Sequence, residues 1–331
     1  MEVTRLEEGS EGWAELCVRD GIVLAQGLLD GEAGYVERVR AFDPAVPEPL
    51  GPALHVRGAA CLAPRTGPRS APAVVHAMPG ALVLSDPRTG SPLRRVPLQG
   101  RERWSGDPTG LAAGTLGGRP TVFVLDEEPW NEHEWWAVDL GTGVPVPGLG
   151  DAFHAHHMVR EKMALAGEYL VAPVQRVRLD DFLMDEVEDR FQSVYRLSDG
   201  RRIAEIECER GEEAVAAVVG GRPLMAVEGR VHALPDLDPV VELGSARNRT
   251  VRALAEWAGL PVLVFTEEEG GYFPAGDRPF RLFFRFLDRS DRPTTEISWT
   301  GAAGVYDVVA ATDGTVAVST SKGLYVLRVD L

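Results

Sequence analysis

The phrase LGGRPTVFV at Leu116–Val124 returns almost unchanged as VGGRPLMAV at Val219–Val227, and AGLPVLVF repeats its Gly and Pro offsets at Gly259 and Pro261. A chain that repeats its own turn-and-strand grammar is constrained more by the period than by any single residue. The copies share an order: apolar strand, Gly/Pro turn, second strand, turn, third strand closing near an acidic turn. Taking the start of the second strand as marker, the units fall at Ile22, Pro72, Pro120, Tyr169, Pro223, Pro261 and Thr315. Third strands follow as YVERVRAF, ALVLSD, WWAVDL, SVYRL, RVHAL, RLFFRFL and LYVLRVDL. Turns such as Asp86–Gly90 and Asp139–Gly143 then lead into fourth strands such as PLRRVPL, RRIAEIE and VVEL. Gly, Asp and Thr suit these hairpin turns because they tolerate unusual φ or bond their own backbone.

Four short strands per unit of about 40–50 residues is the signature of a β-propeller blade. A lone four-stranded sheet cannot bury both faces, whereas stacked blades cover one another, which accounts for the near-continuous apolar strands. The sequence therefore predicts an all-β fold, a seven-bladed β-propeller of four-stranded antiparallel blades filling residues 1–331 as one domain. The seventh unit stops at its third strand, GLYVLRVDL, while VTRL (Val3–Leu6) precedes the first unit. The N-terminal strand is expected to pair with the C-terminal blade and close the ring.

In the third unit, Gly118-Arg119-Pro120 with Val138-Asp139-Leu140-Gly141-Thr142-Gly143 resembles the blades of bacterial WD-repeat propellers. Ser85-Asp86 and Val329-Asp330 keep the aspartate of the Trp-Asp position without its tryptophan. Gly100-Arg101 and Gly244-Ser245 stand where the family's Gly-His dipeptide would be. The resemblance implies a degenerate WD repeat and an interaction platform, an argument by fold analogy alone.

The net charge is −16, and Lys162 and Lys322 are the only lysines. With arginines scattered rather than striped, nothing offsets that field for a phosphate backbone, so no nucleic-acid partner is expected. No apolar stretch approaches the ~20 residues of a membrane span, and the start MEVTRLEEGSEGW lacks the pattern of a secretory signal. Three cysteines without a C-x-x-C pair argue against a disulfide framework and for a reducing cytoplasm.

Three units carry long insertions between their second and third strands: Asp126–Glu134, Arg176–Arg190 and Glu267–Pro279. Their formal charges, −5, −3 and −3, make up most of the net −16. Each bears an aromatic: Trp130, Phe182, and Tyr272 with Phe273. Leu179, Phe182, Leu183 and Val187 stand near helical spacing, which predicts a short amphipathic helix. Solvated loops are often acidic, but three such insertions at one position of the repeat point to a binding face. The candidate contacts for a basic protein or peptide are Glu127, Glu128, Trp130, Asp180, Asp181, Phe182, Glu268 and Tyr272, the acids steering and the aromatics anchoring.

A second reading, a propeller enzyme or small-ligand or metal-binding protein, rests on His154, His156 and His157 near the mouth of a central channel. Imidazoles so spaced can share a metal, although a bracing role between blades fits them as well. Nucleophile, zinc-protease and P-loop motifs are absent, so no catalytic residue and no cofactor is assigned. Cys17 and Cys61 fall on first strands, where burial is expected. Trp135 and Trp136 are adjacent in a strand, so alternation sends one to each sheet face.

Overall fold

Short β-branched and aliphatic runs separated by Gly, Asp and Pro turns become strands throughout. The computed structural model describes residues 2–8, 15–28, 36–46, 48–65, 72–102, 104–128, 132–154, 162–179, 186–208, 214–243, 249–267, 280–288, 294–299, 305–311, 314–320 and 323–329. The strands run in chain order as follows. After β1 (Glu2–Glu8) come β2 (Glu15–Arg19), β3 (Ile22–Leu28), β4 (Val36–Phe42), β5 (Leu54–Leu62), β6 (Val74–Met78), β7 (Ala81–Ser85) and β8 (Pro92–Pro97). Next are β9 (Gly110–Leu116), β10 (Arg119–Glu128), β11 (Glu132–Asp139) and β12 (Pro145–His154), then β13 (Ala164–Ala166), β14 (Tyr169–Leu179), β15 (Glu186–Arg196) and β16 (Arg202–Glu207). They are followed by β17 (Val215–Val219), β18 (Arg222–Val227), β19 (Arg230–Ala233) and β20 (Asp238–Glu242), and by β21 (Arg249–Trp257), β22 (Leu260–Glu267), β23 (Phe280–Phe286) and β24 (Thr295–Trp299). The last are β25 (Val305–Ala310), β26 (Thr315–Thr320) and β27 (Gly323–Arg328).

β9–β12, β13–β16, β17–β20 and β21–β24 each form a four-stranded antiparallel sheet in sequence order. A fifth has the order β1-β27-β26-β25, so the N-terminal strand supplies the edge beside β27, from Glu2↔Arg328 to Glu8↔Gly323. The sixth sheet has seven strands, β2 to β8, because β5 serves two ladders. Its first half pairs with β4, its second with β6, and the register shifts between Arg57 and Ala60. At that break Gly58 adopts φ +62°, with the Pro108 backbone so close that a Cβ would not fit. Gln26 clamps the step: its Oε1 accepts from the Ala60 N–H at 2.8 Å and its Nε2 donates to the Gly58 carbonyl at 3.1 Å. The same Nε2 bonds Glu37, and both side chains are buried.

The twin phrases occupy equivalent places. Gly117 and Gly118, like Gly220 and Gly221, have positive φ at both central positions, as a two-residue type I′ hairpin turn requires. Pro120 then pairs with Thr115, Pro223 with Val218 and Pro261 with Glu256, each second in its strand. The carbonyl of each proline accepts an N–H from the leucine immediately after the third strand: Leu140 at 2.9 Å, Leu234 at 3.0 Å and Leu287 at 2.9 Å. A proline fits here because the ladder asks only for its carbonyl.

Apolar clusters of the described residues fill the spaces between successive ladders. Trp136 packs with Val75, Leu82 and Trp104 on one side of its sheet, and Trp135 with Leu170 and Tyr195 on the other, as alternation required. Similar clusters join β13–β16 to β17–β20, β17–β20 to β21–β24, and β21–β24 to β25–β27. One more lies between β2–β4 and β5–β6, where the seven-stranded sheet folds on itself. The last joins Leu6, Ala317, Leu324 and Val326 to Leu16, Val23 and Phe42, so the final ladder packs against the first. Each apolar side chain buried this way contributes about 1.5–3 kcal/mol.

Candidate functional site

Two of the three insertions are hairpins in their described parts, and the third connects the antiparallel pair β22 and β23. β14 and β15 have 11 residues each and pair from Tyr169↔Arg196 to Leu179↔Glu186. Their neighbours stop early: β13 meets β14 only at Tyr169–Val171, and β16 meets β15 only at Phe191–Tyr195. Residues 175–179 and 186–190 therefore form a two-stranded arm beyond the sheet. This corrects the expected helix at its flanks, since Leu179 and Val187 are in strands. Arg176, Val177, Arg178 and Leu179 alternate with period two, and the longer ladder prevails over the partial helical spacing.

β10 and β11 also pair up to their turn, with Glu127 opposite His133 and Glu128 opposite Glu132, but here β12 follows β11 to Glu132↔His154 and only β9 stops short, at Leu125. The third hairpin is flanked by Glu267 at the end of β22 and Phe280 at the start of β23. All three turns join the second strand of a sheet to its third. The structure thus places the backbone of Glu127 and Glu128. Trp130, Asp180, Asp181, Phe182, Glu268 and Tyr272 lie outside the described residues.

The net charge of this end is smaller than the sum over the insertions, because two carboxylates pair with arginines outside them, and a third carboxylate is buried. Asp126 is buried and accepts from the Trp104 indole N–H. Glu134 pairs with Arg101, whose guanidinium stacks over the Trp136 ring at 4.4 Å. Glu267 accepts from Arg249 Nε at 2.7 Å, and Arg249 also donates to the Leu243 carbonyl at 2.5 Å. These contacts brace the hairpin bases.

His154 is the last residue of β12, opposite Glu132, rather than in the connection that follows; His156 and His157 lie outside the described residues. Among the described residues no three His, Cys, Asp or Glu side chains are grouped to hold a metal, and no helix is long and apolar enough to cross a membrane.

A cavity of about 370 Å³ is lined mainly by residues of β2, β5, β9, β13, β17, β21 and β25, together with Leu24 and Gln26 of β3 and Lys162 and Met163 just before β13. These strands neighbour one another in that order, and β25 lies against β2. Cys17 and Cys61 both line it; Cys61 is buried, as its first-strand position predicted, whereas Cys17 is half-buried, and desolvation pushes the Cys17 thiol up to about 11 and raises Cys61 as well. Lys162 reaches from the β13 side to Asp307 of β25, which also accepts from the Leu16 N–H at 2.6 Å and the Val308 N–H at 2.8 Å. Antiparallel pairing puts the start of each first strand at the end of its sheet where the second strand turns into the third. This cross-link therefore lies at the end from which the long hairpins project. Arg19, at the far end of β2, donates Nη2 to the Ala113 carbonyl at 2.5 Å. No motif or spacing in the sequence singles out these cations. The available signal was a charged residue inside or bordering an otherwise apolar first strand, as in ELCVR.

No protein-family model matches the chain, and no curated relative does. Among solved structures it is similar to the Dos1 propeller, with a TM-score of 0.55 and 12% identity over 95% of this chain and 76% of that one. The chain is a β-propeller. Matches at lower scores include BamB from Moraxella catarrhalis (TM-score 0.48, 12% identity, 98% of each chain). Another is the propeller domain of the Trilobed protease from Pyrococcus furiosus (TM-score 0.49, 12% identity, 96% of this chain and 93% of that one).

Proposed function

We propose that this propeller has seven blades in one domain of 1–331, closed by β1, and serves as a non-catalytic platform for a basic protein or peptide. Support for the blade count comes from the apolar clusters between successive ladders, the last of which joins β25–β27 to β2–β4. The first strands around one cavity support it too. The Asp139 turn fits the degenerate WD-repeat reading: Asp139 Oδ1 accepts from the Gly141 N–H at 2.6 Å and the Thr142 N–H at 3.2 Å. Asp86 does the same for the Arg88 N–H at 2.8 Å. These aspartates are turn-formers.

One observation carries the functional reading: β10–β11, β14–β15 and β22–β23, the hairpins bearing the acidic, aromatic insertions, hold the same position in their sheets. A ring of blades brings such hairpins to one face, where Glu127, Glu128, Asp180, Asp181 and Glu268 steer a cationic partner and Trp130, Phe182 and Tyr272 anchor it. The test is capture of partners from the native host's extract by the wild-type chain and by a variant with all three hairpin tips shortened to two-residue turns. Partners retained by the wild type and lost by the variant are expected; equal retention contradicts the platform.

A further inference from the structure

We propose that the axial cavity is a binding site for a small organic monocarboxylate, held by Arg19, independently of the hairpin face. Cations within the cavity wall are Arg19, Lys162 and Arg252, against the single carboxylate of Glu15. In a chain of net charge −16 this is a local reversal of sign. Lys162 is neutralised by Asp307, and Arg252 donates Nε to Thr266 Oγ1 at 3.1 Å. Arg19 differs from both. Its contact with Ala113 is to a neutral carbonyl, and its Nη1 is buried with no hydrogen-bond partner among the described residues.

Arg19 as a whole is half-buried, and an anion in the cavity that accepts from its accessible N–H groups supplies the partner that this cation lacks. The rest of the wall decides the ligand's body. Leu24, Leu62, Leu111, Leu165 and Leu254 make it aliphatic, and about 370 Å³ lies at the small end of ligand pockets. A carboxylate with a short alkyl chain satisfies both features, its head on Arg19 and its tail against the leucines. A bare inorganic anion satisfies only the first.

The probe is hexanoate, titrated calorimetrically into the full chain, with hexan-1-ol, hexylamine and inorganic phosphate in parallel. One-to-one binding of hexanoate is expected, with the alcohol, the amine and phosphate each weaker by roughly tenfold or more, the scale of a lost charge-assisted hydrogen bond. Arg19→Gln should weaken hexanoate by a similar factor while Arg19→Lys retains part of the affinity. Ala164→Phe, which fills the cavity and leaves Arg19 in place, should abolish binding. If Arg19→Gln does not fold, Ala164→Phe decides. Absence of hexanoate binding to the wild type, equal binding of hexanol, or undiminished affinity in either folded variant would overturn the proposal.

Discussion

Leu6 is the point at which the N-terminal strand joins the core, and Leu6→Ala measures what that strand contributes. The side chain is 5% exposed and packs with Leu16, Phe42, Leu324 and Val326, so it touches both the first and the last ladder. Leu→Ala changes in cores cost about 2–5 kcal/mol, depending on how far the site collapses. Leu6 stands where the β1–β27 register shifts, between Arg5 and Glu7 on an edge strand, so partial relaxation is expected. The lower half of that range applies, about 2–3 kcal/mol. An unfolding entropy of about 2.1 cal/mol/K per residue gives about 0.7 kcal/mol/K for 331 residues, so Tm should fall by roughly 3–4 °C. The assay is calorimetric melting at a fixed scan rate. Leu93→Ala in β8 is the reference, because that leucine is 54% exposed and should shift Tm little. Leu6→Ala melting with the wild type, or Leu93→Ala falling as far, would refute the reasoning.

Gln26→Leu removes the clamp at the β5 step and leaves the Ala60 N–H without its acceptor; a loss of about 1–3 kcal/mol in chemical denaturation is expected, and no loss would mean the step holds itself. Ala258 has φ +49°, a left-handed conformation that costs a non-glycine residue about 1 kcal/mol, so Ala258→Gly should raise Tm slightly. Burial lowers the pKa of His76 below 6.5, with a backbone hydrogen bond at Ala77 opposing it only in part. The unfolded chain then takes the proton first, so stability conferred by neutral His76 falls as pH drops through and below about 6.5. His76→Asn should flatten that part of the stability–pH curve, and an unchanged slope would show that other groups govern it.

Turn chemistry and strand periodicity are local, which is why the repeat could be read from the chain. Gly117-Gly118 and Gly220-Gly221 need no distant partner to form their turns, and Pro120, Pro223 and Pro261 mark the same register wherever they stand. Trp135 and Trp136 were equally legible, because alternation alone separates them. What the sequence concealed depends on residues that meet only in three dimensions. The double use of β5 rests on Gln26, which reaches Gly58 and Ala60 from another strand. Part of the acidity of the hairpins is offset in a way no local pattern shows, since Arg101 and Arg249 approach Glu134 and Glu267 from other segments and Asp126 is buried against Trp104. The cavity cations stayed hidden for a similar reason: Arg19 comes from β2, Lys162 from just before β13 and Arg252 from β21.

The platform reading is tested most directly by association kinetics between the chain and a captured partner across a salt series. Wild type should be compared with a variant neutralised at Glu127, Glu128, Asp180, Asp181 and Glu268, and with Trp130→Ala. Separated surface charges act together through a field that fades as the Debye length shortens from about 10 Å at 0.1 M salt to about 3 Å at 1 M. The wild-type on-rate should therefore fall with salt, and the neutralised variant should start slower and lose that dependence. Trp130→Ala should keep the on-rate and dissociate faster, because an anchor's contacts form after encounter. Association indifferent to salt, with both variants binding as tightly as wild type, would contradict the account.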